Sequence, residues 1–205
     1  MSGNISQFKS SFKTDVARPA RFDVTIPVPV VLSPYITTGR NLSFRCEAAA
    51  LPGRTFETTE RKMGSAPKEK MPYLTNYDEA QFTFLLSDNM AEKIFFDSWM
   101  ELINPTTDFN FQYKSNYAVD VSINQYDVSN NLTYSAVLRD AFPINLNQLD
   151  TDWSNDGYHK LVVVFAYKQW NNNTVQSLGQ QFAQAAITGL VNDITGTGSV
   201  SLNNF

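Results

Sequence analysis

A nucleophile and a base are the minimum for acyl or phosphoryl chemistry, and this sequence holds one obvious candidate of each. His159 is the only histidine and Cys46 the only cysteine in 205 residues. A hydrolytic triad would need His159 as its base. It stands just before the apolar run Leu161–Phe165, at the start of a strand, where a structural hydrogen-bonding role is the simpler reading. Cys46 falls in phase with Leu42, Phe44 and Ala48, which makes it a small core residue rather than a nucleophile. Neither a G-x-S-x-G elbow nor a glycine-rich phosphate loop occurs.

Metal chemistry fares no better. One His and one Cys cannot build a zinc site within a chain. The acids of "DTDWSNDG", Asp150, Asp152 and Asp156, begin like a calcium loop. Such a loop needs Gly at its sixth position and Glu at its twelfth, where this chain has Asn155 and Leu161. A turn with solvated carboxylates is expected instead. Paired carboxylates for glycoside hydrolysis are a matter of space rather than spacing. Still, no acid here sits in a context that would obviously raise its pKa. The expectation is therefore no catalysis, no cofactor and no metal.

What must these residues be mounted on? The hydrophobic fraction of 42% and aromatic fraction of 13% fit a packed domain able to bury a core without disulfides. No apolar run reaches membrane-spanning or signal-peptide length, so a soluble, intracellular protein without membrane insertion is expected. The N-x-[ST] matches at Asn4, Asn41, Asn131 and Asn172 then count as accidental. A net charge of −4 argues against a protein that clamps nucleic acid through its phosphates.

The periodicity predicts mostly strands. "RFDVTIPVPVV" alternates Phe22, Val24 and Ile26 with Asp23 and Thr25 before two prolines. "NLSFRCEAA" alternates Leu42, Phe44, Cys46 and Ala48 inward, and "AQFTFLL" is a further strand. "SDNMAEKIFFDSWMELINP" predicts a helix capped by Ser87 or Asp88. Asp88 and Glu92 suit its positive end, Phe95, Trp99 and Leu102 share one face, Ile94 and Ile103 flank it, and Asn104-Pro105 ends it. After it, "FNFQY", "YAVDVSINQYD", "LTYSAVLRDAF", "INLNQLDTDW" and "HKLVVVFAYKQW" return to a period of two, with "VSNN" as a turn. The fold class is mainly β (α+β): an antiparallel barrel or two-sheet sandwich with one flanking helix. Residues 1–19 form a polar arm carrying Phe8 and Phe12, and 20–170 the barrel domain. Residues 171–205 form an extension, partly helical or mobile, with Leu178, Phe182, Ala185 and Leu190 on one weak face.

Four blocks resemble, in order, the major tail tube protein of contractile-tailed bacteriophages. They are "LSFRCEAAALPGRTFETTERK", "PYLTNYDEAQFTFLLSDNMAEKIFFDSWMELINP", "FNFQYKSNYAVDVSINQYD" and "AFPINLNQLDTDWSNDGYHKLVVVFAYKQW". The resemblance implies a β-barrel-like fold related to the tube protein of type VI secretion. It implies a structural role in the virion tail: hexameric rings, assembled in the host cytoplasm, stack into the inner tube through which DNA is ejected. Implied partners are further copies, the sheath, the baseplate, the tape-measure and the tail terminator, with DNA passing unbound. The long extension after Trp170 leaves open a specialised initiator or terminator ring of the same fold. A carbohydrate-binding β-sandwich of a host-recognition structure is the rival of another class. "FNFQY" and "YAVDVSINQYD" are the candidate lumen strands.

One passage fits none of these elements. "LPGRTFETTERKMG" is too polar to bury and too long for a tight turn. Between Arg54 and Met71 it carries five basic residues (Arg54, Arg61, Lys62, Lys68, Lys70) and three acids (Glu57, Glu60, Glu69). The threonines give it β-propensity, so it can become a strand where another chain offers an edge. The expectation is an arm turned away from its own sheet by Leu51–Pro52–Gly53. Phe56 would anchor it on a neighbouring subunit or ring, with Arg54, Arg61 and Lys62 meeting acids there. Arg54, Phe56, Glu57, Glu60, Arg61 and Lys62 are thus the candidate contact residues; a solvated loop is the alternative.

Overall fold

The computed structural model describes residue 5 and residues 16–173, apart from 66 and 155. The arm residues Phe8 and Phe12 and the extension residues Leu178, Phe182, Ala185 and Leu190 lie outside the described residues. In chain order come β1 (Phe22–Thr25), a 3-10 helix (Val30–Tyr35), α1 (Ile36–Arg45), β2 (Cys46–Ala49), β3 (Thr55–Arg61), β4 (Glu69–Asn76) and β5 (Ala80–Leu85). Then follow α2 (Ala91–Ile103), α3 (Lys114–Tyr117), β6 (Val119–Tyr126), β7 (Leu132–Leu146), β8 (Lys160–Ala166) and β9 (Gln169–Asn172).

Seven strands form one antiparallel sheet in the order β1-β6-β7-β8-β5-β2, with β9 also paired to β7. β7 makes this a curled, two-layered structure. Its first part pairs with β6 and β9, and its last residues, Phe142–Leu146, pair with β8. The change of partner falls at Asp140, in the left-handed region at φ 53°. Asp120 secures that bend: its carboxylate accepts the Asp140 N–H at 3.1 Å and pairs with the Arg139 guanidinium. β1 and β2, the two ends of the order, approach each other and bring the sheet toward closure.

Period two explains the inner faces. Ala80, Phe82 and Phe84 of β5 and Leu161, Val163 and Phe165 of β8 are buried, and the residues between them are not. α2 covers them with Phe95, Phe96 and Trp99, all fully buried. The rings interlock: Phe96 stacks on Trp99 with centroids 6.3 Å apart, and Phe165 meets Phe82 edge-on at 5.4 Å. Trp99 donates its indole N–H to the Tyr117 carbonyl at 3.0 Å, so burial leaves that donor satisfied.

Four expectations need correction. Of "NLSFRCEAA" only Cys46–Ala49 forms a strand, and the residues before it end the helix Ile36–Arg45: Gly39 and Leu42 face inward at helical spacing, and Phe44 points to solvent. Gly39 is required there, because a Cβ would lie 2.1 Å from Val28 Cγ2. "FNFQY" forms no strand. Its backbone folds back on the end of α2, with Phe109 N–H to the Pro105 carbonyl at 2.9 Å and Gln112 N–H to the Ile103 carbonyl at 3.0 Å. Phe109, Phe111 and Tyr113 are exposed. At α2, Met90 holds the cap position at φ 52° and Asn89 Oδ1 accepts the Ala91 N–H at 3.3 Å, in place of a Ser87 or Asp88 cap. Finally, only Ile144–Leu146 of "INLNQLDTDW" continues a strand.

Candidate assembly interface

Cys46 and Asp152 are engaged by their own neighbours, and His159, with an exposed side chain, is held through its backbone. Cys46 is half-buried, donates its Sγ–H to the Ala48 carbonyl at 3.4 Å, and burial pushes its thiol up to about 12. Such a shift works against thiolate formation. The His159 carbonyl accepts the Leu86 N–H at 3.2 Å, tying the loop before β8 to the end of β5. Asp152 accepts the Ser154 N–H at 3.0 Å and hydroxyl at 2.8 Å, bonds that hold its carboxyl below the usual range. Among the described residues no three of His, Cys, Asp and Glu gather where a metal could sit.

The feature that remains is a projecting hairpin. β3 and β4 pair with each other as a separate two-stranded sheet, from Thr55↔Asn76 at the root to Arg61↔Glu69 near the tip. Thr55–Thr59 thus finds its strand partner within the same chain. Between Glu57 and Thr58 the register shifts, leaving Tyr73 as the extra residue on β4. Tyr73 Oη–H and Asn76 Nδ2–H each donate to the Glu57 carboxylate at 2.6 Å. Those bonds hold the Glu57 carboxyl low and push the Tyr73 phenol up. Glu60 pairs with Lys68 at 2.7 Å, and Arg61 stands across from Glu69. Lys62 lies in the exposed tip, and Phe56 keeps 55% of its surface open to solvent.

The root is fastened to the barrel. Trp170 on β9 donates its indole N–H to the Gly53 carbonyl at 3.0 Å. The Arg54 guanidinium lies 5.3 Å from the Trp170 ring centroid and 5.6 Å from that of Tyr77. Arg54 is therefore engaged by rings of its own chain. The structure gathers Phe56, Glu57, Glu60, Arg61 and Lys62 on the hairpin and sets Arg54 at its hinge. Sequence reasoning missed Tyr77 and Trp170, since nothing local in the chain links positions 53 and 170.

Comparison with known families adds a second, independent line to this geometry. The model of the phage tail tube protein family matches residues 17–173. The chain belongs to the phage tail tube protein family. Solved structures agree on the fold of this tail tube protein. A chain of the anti-feeding prophage baseplate aligns with a TM-score of 0.56 at 14% identity, covering 78% of this chain and 96% of that one. A chain from the sheath/tube terminator of the extracellular contractile injection system PVC gives 0.55 at 13% identity, covering 78% and 97%. One from the sheath–tube complex of the same system gives 0.54 at 15%, covering 84% and 99%. No curated protein matches this tail tube protein.

Proposed function

We propose that this chain is the repeating subunit of a phage tail tube, forming hexameric rings that stack into a hollow inner tube through which DNA is ejected. One observation carries the assembly. Among the described residues β1 and β2 each pair on one side only, an edge of the kind that further copies can extend. Closing such edges in a ring removes the liability of an open sheet. The hairpin β3–β4 serves as the arm, with Phe56 as its apolar anchor and Arg61 and Lys62 as its charged flank. A net charge of −4 suits a conduit that must release DNA rather than hold it. Its role is structural, in the virion tail, with assembly in the host cytoplasm. The sheath, baseplate, tape-measure and terminator proteins are its neighbours there.

A specialised end ring of the same fold is the second reading, favoured by the likeness to baseplate and terminator chains. Electron microscopy of the purified protein at rising concentration separates the two. The repeating subunit gives stacked rings of indefinite number, whereas an end ring stops at one or two layers. Particles that stay monomeric at every concentration would refute both.

A further inference from the structure

On the side of the molecule where β1 leads into the helices, an open groove of about 440 Å³ runs between the chain after β1 and α1. Ile26, Pro27 and Val28 line one side, Ile36 and Phe44 the other, and Arg40 and Ser43 complete the rim. Phe44 is 89% exposed, an aromatic ring held out from α1 without cover among the described residues. At the floor Gly39 meets Val28 directly, a contact that leaves no room for a Cβ. An apolar concavity with a ring projecting beside it is built to receive another apolar element.

We infer that the groove is the seat of this chain's own C-terminal extension, docked as an amphipathic helix over residues 178–193 with Phe182 in the groove. The extension lies outside the described residues, and reach, shape and charge select it. Asn172 on β9 stands beside Ala136, Ala136 beside Ile123, and Ile123 beside Val24 on β1. Three strand spacings, about 14 Å, therefore separate the exit of the chain from the strand that borders the groove. Asn173 already has helical backbone. A helix running on from it covers about 14 Å by Phe182, which brings that ring level with β1. In the sequence Leu178, Phe182, Ala185, Ala186 and Gly189 fall on one face at helical spacing. The three small residues leave room for the projecting Phe44 ring while Phe182 fills the groove. Asp193 is the only charged side chain of residues 174–205, and at eleven residues from Phe182 it returns to the same face. It is the complement of Arg40 on the rim. The N-terminal arm fits less well, because Lys9 and Lys13 follow its Phe8 and Phe12 and would meet Arg40 as like charges. Gly179 and Gly189 also weaken the helix in isolation, so the extension gains most from a surface to fold against.

The test is a disulfide within one chain. Ser43 lies on the groove rim, and Ala186 follows Phe182 by one helical turn. At high dilution and under mild oxidation, Ser43→Cys/Ala186→Cys protein should close an intramolecular disulfide, located by peptide mapping. It should close at least 10-fold faster than either single variant joins native Cys46, because tethering gives the docked pair a high effective concentration. Adding Phe182→Asp should slow closure by about 10-fold or more. Adding Arg40→Glu should slow it several-fold, with recovery when Asp193→Arg is combined with it. A second readout needs no added cysteine: backbone amides of α1 should exchange with solvent faster in Phe182→Asp than in wild type, while those of β5 and β8 stay unchanged. A disulfide that forms only between chains, in mixtures of the two single-cysteine proteins, would overturn the inference by giving the groove to another copy. No disulfide in either setting, or α1 exchange that ignores Phe182→Asp, would overturn it as well. The tail tube reading stands apart from all of these outcomes, since the groove is covered within one chain.

Discussion

Removing the Glu92 carboxylate should destabilise the subunit by about 3 kcal/mol, the sum of the groups it leaves without partners. Glu92 opens α2 and is only 1% exposed. Its carboxylate accepts the Ser87 N–H at 2.9 Å and the Ser87 hydroxyl at 2.7 Å, and it pairs with the Arg45 guanidinium at the end of α1. In Glu92→Ala the Ser87 N–H loses that acceptor, at roughly 1–2 kcal/mol, while the hydroxyl retains Asn89 Oδ1 at 2.6 Å. Losing the charged bond to Arg45 adds about 1 kcal/mol. The discount reflects the Arg45 side chain, which is 36% exposed and regains water. For a domain whose total stability is about 5–15 kcal/mol this is a large fraction. The melting temperature should fall by about 6–12 °C and the urea midpoint by about 1–2 M. Glu92→Gln keeps an oxygen acceptor for Ser87 and should lose only about half as much. A double-mutant cycle with Arg45→Ala reads the pair directly. A Glu92→Ala subunit within 0.5 kcal/mol of wild type, by the usual scale for surface substitutions, would refute the view that this carboxylate ties α1 to α2.

Other consequences follow from the same geometry. Trp170→Leu removes the indole bond to Gly53 and one of the two rings under Arg54. Limited trypsin cleavage at Arg54, Arg61 and Lys62 should speed up several-fold, and the melting temperature should change by only a few degrees. Folded Cys46 holds its proton up to about 12 against an ordinary 9.0, so above pH 9 the unfolded chain binds fewer protons. Stability should therefore be complete below pH 9 and decline toward pH 12, and Cys46→Ala should flatten that decline in urea titrations. Truncation after Asn173 should leave the circular-dichroism signal of the barrel intact, because β9 ends at Asn172. Loss of the folded monomer on that cut would place the extension in the core.

The core was legible where a pattern repeats long enough to fix a period. Phe95 and Trp99 one helical turn apart predict the covering face of α2, and the alternation in β5 and β8 predicts the layer beneath it. Phe96 escaped notice because it widens the stripe beyond a strict i, i+4 spacing. Where the pattern is short, tertiary contacts decided. The alternation of Leu42 and Phe44 resembles a strand, yet Gly39 against Val28 makes a close helix–chain contact possible that no local rule foresees. "FNFQY" alternates too, but its aromatic residues are exposed, so the period carried no information about burial. The polarity of Arg54–Met71 agrees with the exposure of the β3–β4 hairpin. The partner strand of β3, "EKMPYLTN", has no alternation of buried and exposed residues to mark it, and so the pairing in cis was hidden. An acid in the first turn of a helix is ordinary, and nothing in the sequence marks Glu92 as buried.

The central claim is that this chain builds a tube by closing its own sheet edges and docking its hairpin on the next copy. Electron microscopy of the purified wild-type protein, over rising concentration and beside Phe56→Asp, tests it most directly. Phe56→Asp would place an unpaired charge in an apolar contact at a cost of several kcal/mol, on the order of 100-fold or more per contact. The account predicts six-fold rings stacked into hollow tubes for the wild type, and folded monomers without tubes for the variant. Full-length tubes from Phe56→Asp protein, or a wild type that never passes beyond monomer, would contradict it.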